Sequence, residues 1–444
     1  MIEKRISKAL LMTALITNSL LVSSVTAFAE ESLNEYSLDT MVVTATRTEK
    51  RDVDVPASTE IITYEDIVDS GSVNAMEAVS KMLGVDYNTY LPGGSAQTSM
   101  TNEINVRGFS YGTLILVNGN PINLNNTYVI DAIPAEAIER IEVVKGGGSV
   151  LYGSEAQSGV INIITKKKVS NKVRVGFGNY KQQQYNVAVG NDKLKINYDL
   201  KKWGYVKEAR YTAANTYTNL KESSNENIGI GYNFNDQLNF EYNHLDTEVS
   251  YESLKKGRLN SFTDSSNKQD LIQLNYNGNK TKGHAWFNKT KLDYDGSSAR
   301  NLFENESFGA DLQQNIELNN KSLLTVGGVY KREVYNSKLK KGKPSIGKKA
   351  RNQMGLFAQL DYKFNDKDNV IIGGRGTWTS SESNGQSYDN FSTSAQYIHK
   401  FDQDKSFYVS VAESFVMPSF KQMFPSSWVE TKPNPDLKPQ EGIN

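Results

Sequence analysis

MGLFAQLDYKF, residues Met354–Phe364, is the stretch that decides the fold. Leu356, Ala358, Leu360, Tyr362 and Phe364 fall on one side of an extended strand, and Gln359, Asp361 and Lys363 on the other. Successive strand side chains point to opposite faces, so a period of two yields one apolar and one polar face. The rule extends in both directions. Upstream, Ala310, Leu312, Ile316 and Leu318 oppose Asp311, Gln313, Asn315 and Glu317; downstream, Val370, Ile372, Gly374 and Trp378 oppose Arg375 and Thr377. From Lys172 to near Glu413, roughly thirteen such segments follow one another, each reading as a strand with lipid on one face and an aqueous lumen on the other. Tyr276, Tyr294, Tyr330, Tyr362 and Trp378 sit near strand ends, where an aromatic girdle belongs.

The connections alternate in length. Short turns are expected at Asn191-Asp192, Asn235-Asp236, Asn277 to Lys280, Asn319-Asn320, Asn365 to Lys367 and Asp402 to Asp404, and long polar loops near 204–226, 247–267, 295–306, 336–350 and 380–389. Outer-membrane barrels pair short periplasmic turns with longer extracellular loops, which assigns the two sides. A soluble β-sandwich or solenoid does not call for this rhythm.

Composition agrees with an exported barrel. The 444 residues carry 50 basic and 50 acidic side chains, so nothing points to a nucleic-acid partner. Cysteine is absent, which excludes disulfides and thiolate sites, and the three histidines are His244, His284 and His399. Neither G-x-S-x-G nor H-E-x-x-H occurs, so an enzyme is not expected, and no cofactor or metal is called for. Lys4, Arg5 and Lys8 precede the mostly apolar run Ala9–Val25, and Ala27-Phe28-Ala29 offers a signal-peptide cleavage site after Ala29. No other stretch would span a bilayer as a helix, so any membrane-spanning part is a barrel.

Roughly thirteen strands, with residues beyond Glu413 expected to form a loop, would leave an open sheet. Each edge of a nine-to-eleven-residue strand exposes roughly ten unpaired backbone groups at several kcal/mol apiece in lipid. That is tens of kcal/mol against a typical stability of about 5–15 kcal/mol. Barrels with a plugged lumen have about 22 strands. The expectation is therefore a barrel with about 13 of 22 strands present.

Residues before the barrel read differently. Asn74 caps an expected helix Ala75–Leu83 stopped by Gly84, and Thr113–Val117 is a buried strand running into the Asn118-Gly119 hairpin signal. Pro134 opens a helical turn over Ala135–Ile138, followed by strands Ile141–Val144 and Val160–Thr165. This is a compact α+β domain.

Several motifs here resemble, in order, those of TonB-dependent outer-membrane receptors of the siderophore and cobalamin type. DTMVVTATR (Asp39–Arg47) is similar to the TonB box. INVRGF (Ile104–Phe109), TLILVNGNPIN (Thr113–Asn123), IPAEAIERIEVVKG (Ile133–Gly146) and GGGSVLYGSEAQSGVINIITK (Gly146–Lys166) are similar to the plug motifs, and NPDLKPQEG (Asn434–Gly442) to a barrel motif. Gly147 stands where proline is usual and Ser158 where glycine is usual.

The resemblance implies an α+β plug followed by a transmembrane antiparallel β-barrel. The division is signal peptide 1–29, TonB-box segment 30–51, plug 52–168 and partial barrel 169–444. Asp39, Thr40, Met41, Val42, Val43, Thr44 and Ala45 form the box. An extended, β-branched segment of this kind can add to a partner's sheet edge; the implied partner is TonB with its inner-membrane energising complex. Arg107 is implied to form a framework ion pair in the plug. Outward-facing plug loops place Tyr90, Gln97, Asn123, Asn125, Asn126 and Tyr128 as candidate ligand contacts. The lysines of the 336–350 loop (Lys338, Lys340, Lys341, Lys343, Lys348 and Lys349) would attract an anionic chelate or lipopolysaccharide phosphates.

The implied activity is uptake of a scarce ligand across the outer membrane, first a ferric siderophore, then cobalamin, then haem. No histidine separates Phe415–Pro418 from Asn434–Leu437, which counts against haem ligation. A passive pore would lack plug and box. A non-functional gene fragment is the other alternative.

Overall fold

In the computed structural model, the described residues are 42–43, 50–51, 54–88, 103–109, 112–124, 128–213, 215–297, 300–339, 347–381, 387–403, 405–424 and 434–444. β1 (Val42–Val43) pairs antiparallel with β2 (Lys50–Arg51), folding the box-like segment back on its own chain.

The plug follows as β3 (Ser58–Thr63), α1 (Tyr64–Asp69), α2 (Ala75–Val79), β4 (Val85–Asn88), β5 (Glu103–Val106), β6 (Thr113–Val117), β7 (Asn120–Pro121), β8 (Ile138–Lys145), α3 (Ser149–Tyr152) and β9 (Gly159–Thr165). Thr63 and Asp66 close a capping box on α1, and the Asn74 side chain accepts from Glu77 N to start α2. The helix ends at Val79 rather than Leu83; the last residues before Gly84 (φ 70°) are turns. The main sheet has the order β3-β8-β9-β6-β7, with β6 and β9 its parallel pair. Asn118 and Gly119 both take positive φ (52° and 83°), the type I′ geometry that the Asn-Gly pair signals. Both faces of the sheet are covered: Ile115, Ile141, Ile161 and Ile163 pack towards Ile67 and Val79, while Leu114, Leu116, Val144 and Val160 pack on the other side. That explains why these strands read as continuous apolar runs.

The second sheet has fifteen strands: β10 (Lys172–Gly178), β11 (Gln182–Gly190), β12 (Leu194–Trp203), β13 (Val206–Ala213), β14 (Thr216–Asn233), β15 (Leu238–Lys255), β16 (Arg258–Asn277), β17 (Thr281–Gly296), β18 (Arg300–Asn319), β19 (Ser322–Leu339), β20 (Gly347–Lys363), β21 (Asp368–Ser381), β22 (Tyr388–Lys400), β23 (Ser406–Val416) and β24 (Gln440–Ile443). Every neighbouring pair is antiparallel and sequential, except that β13 branches onto the upper half of β14. The expected alternation is present side chain by side chain. Leu356 and Ile372 are 50% and 56% exposed on the outer face, while Arg375 is 3% and Gln353 8% exposed towards the lumen. Leu245 and Leu271, on the lumen face, join the plug's main apolar cluster, so the plug sits against this wall.

Two expectations are corrected. The segments 204–226 and 247–267, read as long loops, are mostly strand: β15 and β16 continue to Lys255 and Arg258 around a Lys256-Gly257 turn, and β13 forms a hairpin arm. Above the apolar band both faces are polar, so the alternation disappears from the sequence although the backbone ladder continues. The residues after Glu413, read as a loop, hold α4 (Phe420–Met423) and β24, which pairs with β23. Among the described residues no strand joins β10 to β24, and the sheet is open.

Candidate functional site

The polar lumen face serves two surfaces, the plug below and a packed aromatic cluster above. Along β16 and β17, three lumen-facing amides bond the plug backbone. Gln269 accepts from Val129 N and donates to Ile122 O, both at 3.1 Å; Gln273 donates to Val117 O at 3.2 Å and Asn288 to Pro121 O at 2.6 Å. Pro121 O on the edge strand β7 and the neighbouring Val117 O, Ile122 O and Val129 N are buried backbone groups, and these side chains satisfy them. Beside them Lys195 and Glu241 form a buried pair at 2.9 Å that also grips Lys166 O and the Asn118 amide.

On the far side of the plug, Glu136 receives Lys172 at 3.1 Å, the Tyr64 hydroxyl at 3.0 Å and the Arg174 guanidinium. Burial opposes its charge, but these partners outweigh burial and hold the carboxyl below its ordinary range.

Higher in the lumen, the segment after β23 folds inward and touches both plug and wall. Met417 N donates to Ser154 Oγ at 3.0 Å, and Arg351 donates to Pro418 O at 2.7 Å. Arg351 pairs with Glu333 at 2.6 Å, Glu333 with Lys331 at 3.1 Å, and Lys331 approaches Glu155 of the plug at 3.8 Å. Burial pushes the Glu155 carboxyl above its ordinary range, despite the Lys331 charge beside it. α4, capped by Ser419, stacks Phe420 on Tyr335 with ring centroids 5.9 Å apart and planes 6° from parallel. Cations lie over these rings: Arg351 over Phe420, Lys349 over Phe424 and Lys421 over Phe303, at 4.9, 4.6 and 5.7 Å.

Of the candidate ligand contacts, Tyr90, Gln97, Asn125 and Asn126 lie outside the described residues. Asn123 and Tyr128 are buried and used internally. Asn123 accepts from Ile115 N and donates to Thr113 O, and the Tyr128 hydroxyl accepts from Ile104 N at 2.7 Å. These two hold the plug together, which corrects their reading as outward-facing contacts. Of the box, Val42 and Val43 have described backbone, whereas Asp39, Thr40, Met41, Thr44 and Ala45 lie outside. Lys340, Lys341 and Lys343 also lie outside, and Lys338 is paired with Glu304 at 2.9 Å. Arg107 is exposed, and the expected framework pair is not among the ion pairs of the described residues. Sequence reasoning missed the Lys331–Glu333–Arg351 chain. Its members do fall on the lumen-facing register, and that register was the available signal.

Residues 51–160 match the model of the TonB-dependent receptor plug domain, and residues 167–444 match that of the TonB-dependent receptor-like β-barrel. The chain belongs to the TonB-dependent receptor family. The receptors of this family are outer-membrane β-barrels with a plug, and they are transporters rather than enzymes. A vitamin B12 transporter of Vibrio vulnificus is 25% identical over 426 residues, covering 91% of this chain and 66% of that protein. Among solved structures, the ferripyoverdine receptor of Pseudomonas aeruginosa superposes with a TM-score of 0.64 at 14% identity, covering 90% of this chain and 62% of that one. The siderophore receptor PirA of Acinetobacter baumannii gives 0.63 at 18% identity, covering 88% and 68%. The chain thus spans about two thirds of the length of these relatives.

Proposed function

We propose that this receptor imports a large metal chelate across the outer membrane, driven by TonB, and that the chelate is a ferric siderophore. The carrying observation is the plug seated against the lumen wall through polar contacts, Gln269, Gln273 and Asn288 on one side and Glu155 on the other. A lumen filled this way has no use as a passive pore. Neutral hydrogen bonds of about 1 kcal/mol each can be exchanged for water one at a time when the plug is pulled. Val42 and Val43 form the strand available for the pull, paired among the described residues with Lys50–Arg51. Asp39 to Ala45 are proposed as the box within a TonB-box segment of residues 30–51; residues 52–168 and 169–444 are proposed as plug and partial barrel, with export by cleavage after Ala29.

The siderophore assignment rests on the vestibule chemistry. Lys349, Arg351 and Lys421 lie over the rings of Phe424, Phe420 and Phe303, a setting suited to an anionic ligand with aromatic or amide groups. Tyr90, Gln97, Asn125 and Asn126 are retained as proposed plug contacts. Cobalamin is the second reading, favoured by the likeness to a vitamin B12 transporter. Haem ligation is opposed by the histidines' positions. His244 and His399 bond Asp270 and Asp368, and His284 bonds Asn275 beside the plug turn.

Deletion of the complete gene tests both readings. Loss of growth on one ferric chelate as iron source, restored by the intact gene and not by a Val43→Pro variant that removes a strand hydrogen bond, supports the first. A defect confined to cobalamin-dependent growth replaces it with the second. Unchanged growth on every chelate and on cobalamin refutes the import reading.

A further inference from the structure

The hairpins β13–β14 and β15–β16 rise beyond the apolar band and end in a surface that the import reading does not use. Register sets Tyr211 opposite Tyr217, Tyr217 opposite Leu254 and Leu254 opposite Leu259, one row across four strands. The row is on the outward face, in phase with the pair Glu252 and Phe262; their neighbours Tyr251 and Thr263 are buried on the lumen side. A bulge at Ser253–Leu254 brings Leu259 onto the same face as Phe262. Tyr211 is 65% exposed and Leu259 63%, and the exposed Phe262 continues the patch below them.

This patch is not part of the lipid-facing band. Between Phe262 and Ile272 the outward residues are Asp264, Ser266, Lys268 and Asp270. That polar stretch corresponds to a height of roughly 25 Å, from about 3.3 Å per residue and a strand tilt near 40°. Apolar surface exposed so far above the hydrocarbon marks an interaction site.

Its crown is basic. Residues 209–219 and 253–263 include Arg210, Lys255, Lys256 and Arg258 and no carboxylate. The flanking acids are engaged: Glu208 accepts from the Tyr211 hydroxyl and lies 3.5 Å from Lys207, and Asn219 Nδ2 donates to Glu252 at 3.0 Å. The crown is held at a local cost. Lys256 takes φ 50° before Gly257 at φ 74°, a turn position that Asn or Gly fills with less strain. Lys255 stands directly opposite Arg258, like charges facing across the ladder. Lys256 N also donates to Asn215 O at 2.8 Å, so the two hairpin tips are tied into one platform. Strain and repulsion retained together at an exposed turn point to an anion that relieves them.

We propose that this platform binds anionic sugar chains, saccharides carrying phosphate or carboxylate groups such as those of the surrounding lipopolysaccharide. The outward face is turned away from the lumen, so it meets the saccharide layer around the barrel and not the imported chelate. The rings of Tyr211 and Tyr217, with Leu254 and Leu259, cover the apolar faces of sugar rings, while Lys255, Lys256 and Arg258 meet the charged groups. A second copy of this chain does not fit, because it would set one basic crown against another.

The probe is the deacylated, phosphorylated core oligosaccharide of lipopolysaccharide, titrated onto the complete receptor in detergent without TonB or chelate. Neutral dextran of equal length is expected to bind roughly tenfold more weakly or worse, and inorganic phosphate at matched phosphate concentration to leave the oligosaccharide bound. Lys255→Gln, Lys256→Gln and Arg258→Gln together should lower its affinity by roughly tenfold or more and flatten its dependence on salt. Tyr211→Ser with Leu259→Ser should lower affinity while keeping the salt dependence. Heat-resistant mobility of the barrel confirms that only folded receptor is compared. An oligosaccharide that fails to bind, binds the charge variant equally well, is matched by dextran or is displaced by phosphate alone overturns the proposal. Because the binding is read without chelate or TonB, failure here leaves the import reading standing, and a failed growth test leaves the platform standing.

Discussion

Glu333→Gln would leave two buried cations without their shared carboxylate. Both Glu333 and Arg351 side chains are 5% exposed, and Arg351 Nε donates to Glu333 at 2.6 Å. Among the described residues Lys331 would keep one carboxylate, Glu155, at 3.8 Å. Removing one partner of a buried pair costs about 3–5 kcal/mol, because the surviving charge stays buried. At about 1.4 kcal/mol per factor of ten, that is roughly a hundredfold to several thousandfold in a local equilibrium. The effect falls on the inward-folded segment, since Arg351 also holds Pro418 O, and Met417 N rests on Ser154. Hydrogen exchange on the purified receptor reads it directly. Protection over Met417–Phe424 should drop by that factor while β16 and β17 keep theirs. A drop smaller than tenfold would refute the view that this ion chain docks the segment.

Two further outcomes follow from the same contacts. Gln269→Ala removes both bonds to the plug, leaving Val129 N and Ile122 O buried and unpaired at about 1–3 kcal/mol each; the plug should become protease-sensitive at lower urea, with the barrel unaffected. Burial pushes the Lys421 ammonium down to about 7, against about 10.4 when released. The released segment therefore binds the extra proton between these values, so docking of α4 should strengthen as pH rises from about 7 to about 10 and be weakest below 7. Exchange protection over Phe420–Met423, corrected for intrinsic rate, checks the sign, and Lys421→Met should abolish the dependence.

The barrel was legible because lipid and lumen impose opposite chemistry on neighbouring residues, as Leu360 between Gln359 and Asp361 shows. Where that contrast ends, the sequence signal ends too, and the upper parts of β15 and β16 passed for loops although their pairing continues to Lys255 and Arg258. Within the plug, Thr113–Val117 and the Asn118-Gly119 turn were readable from local chemistry. Asn123 and Tyr128 were not. An amide or a phenol in a polar stretch looks the same whether it faces a ligand or satisfies a buried backbone group, and only the tertiary fold brings Ile115 N and Ile104 N to them. The Glu155–Lys331–Glu333–Arg351 chain shows the same limit: register places the last three on the lumen face, but nothing local tells that a plug carboxylate meets them.

The central claim, that every second residue of the long sheet faces hydrocarbon while the plug occupies its other side, is open to one direct measurement. Single cysteines carried in turn at positions 354–364 of the receptor in its native membrane would be spin-labelled and exposed to lipid-soluble oxygen and to a water-soluble nickel chelate. Positions 354, 356, 358, 360 and 362 should respond to oxygen, with positions 355, 357, 359 and 361 shielded from it, in a strict period of two. A uniform response to the nickel chelate along the whole stretch would contradict the account.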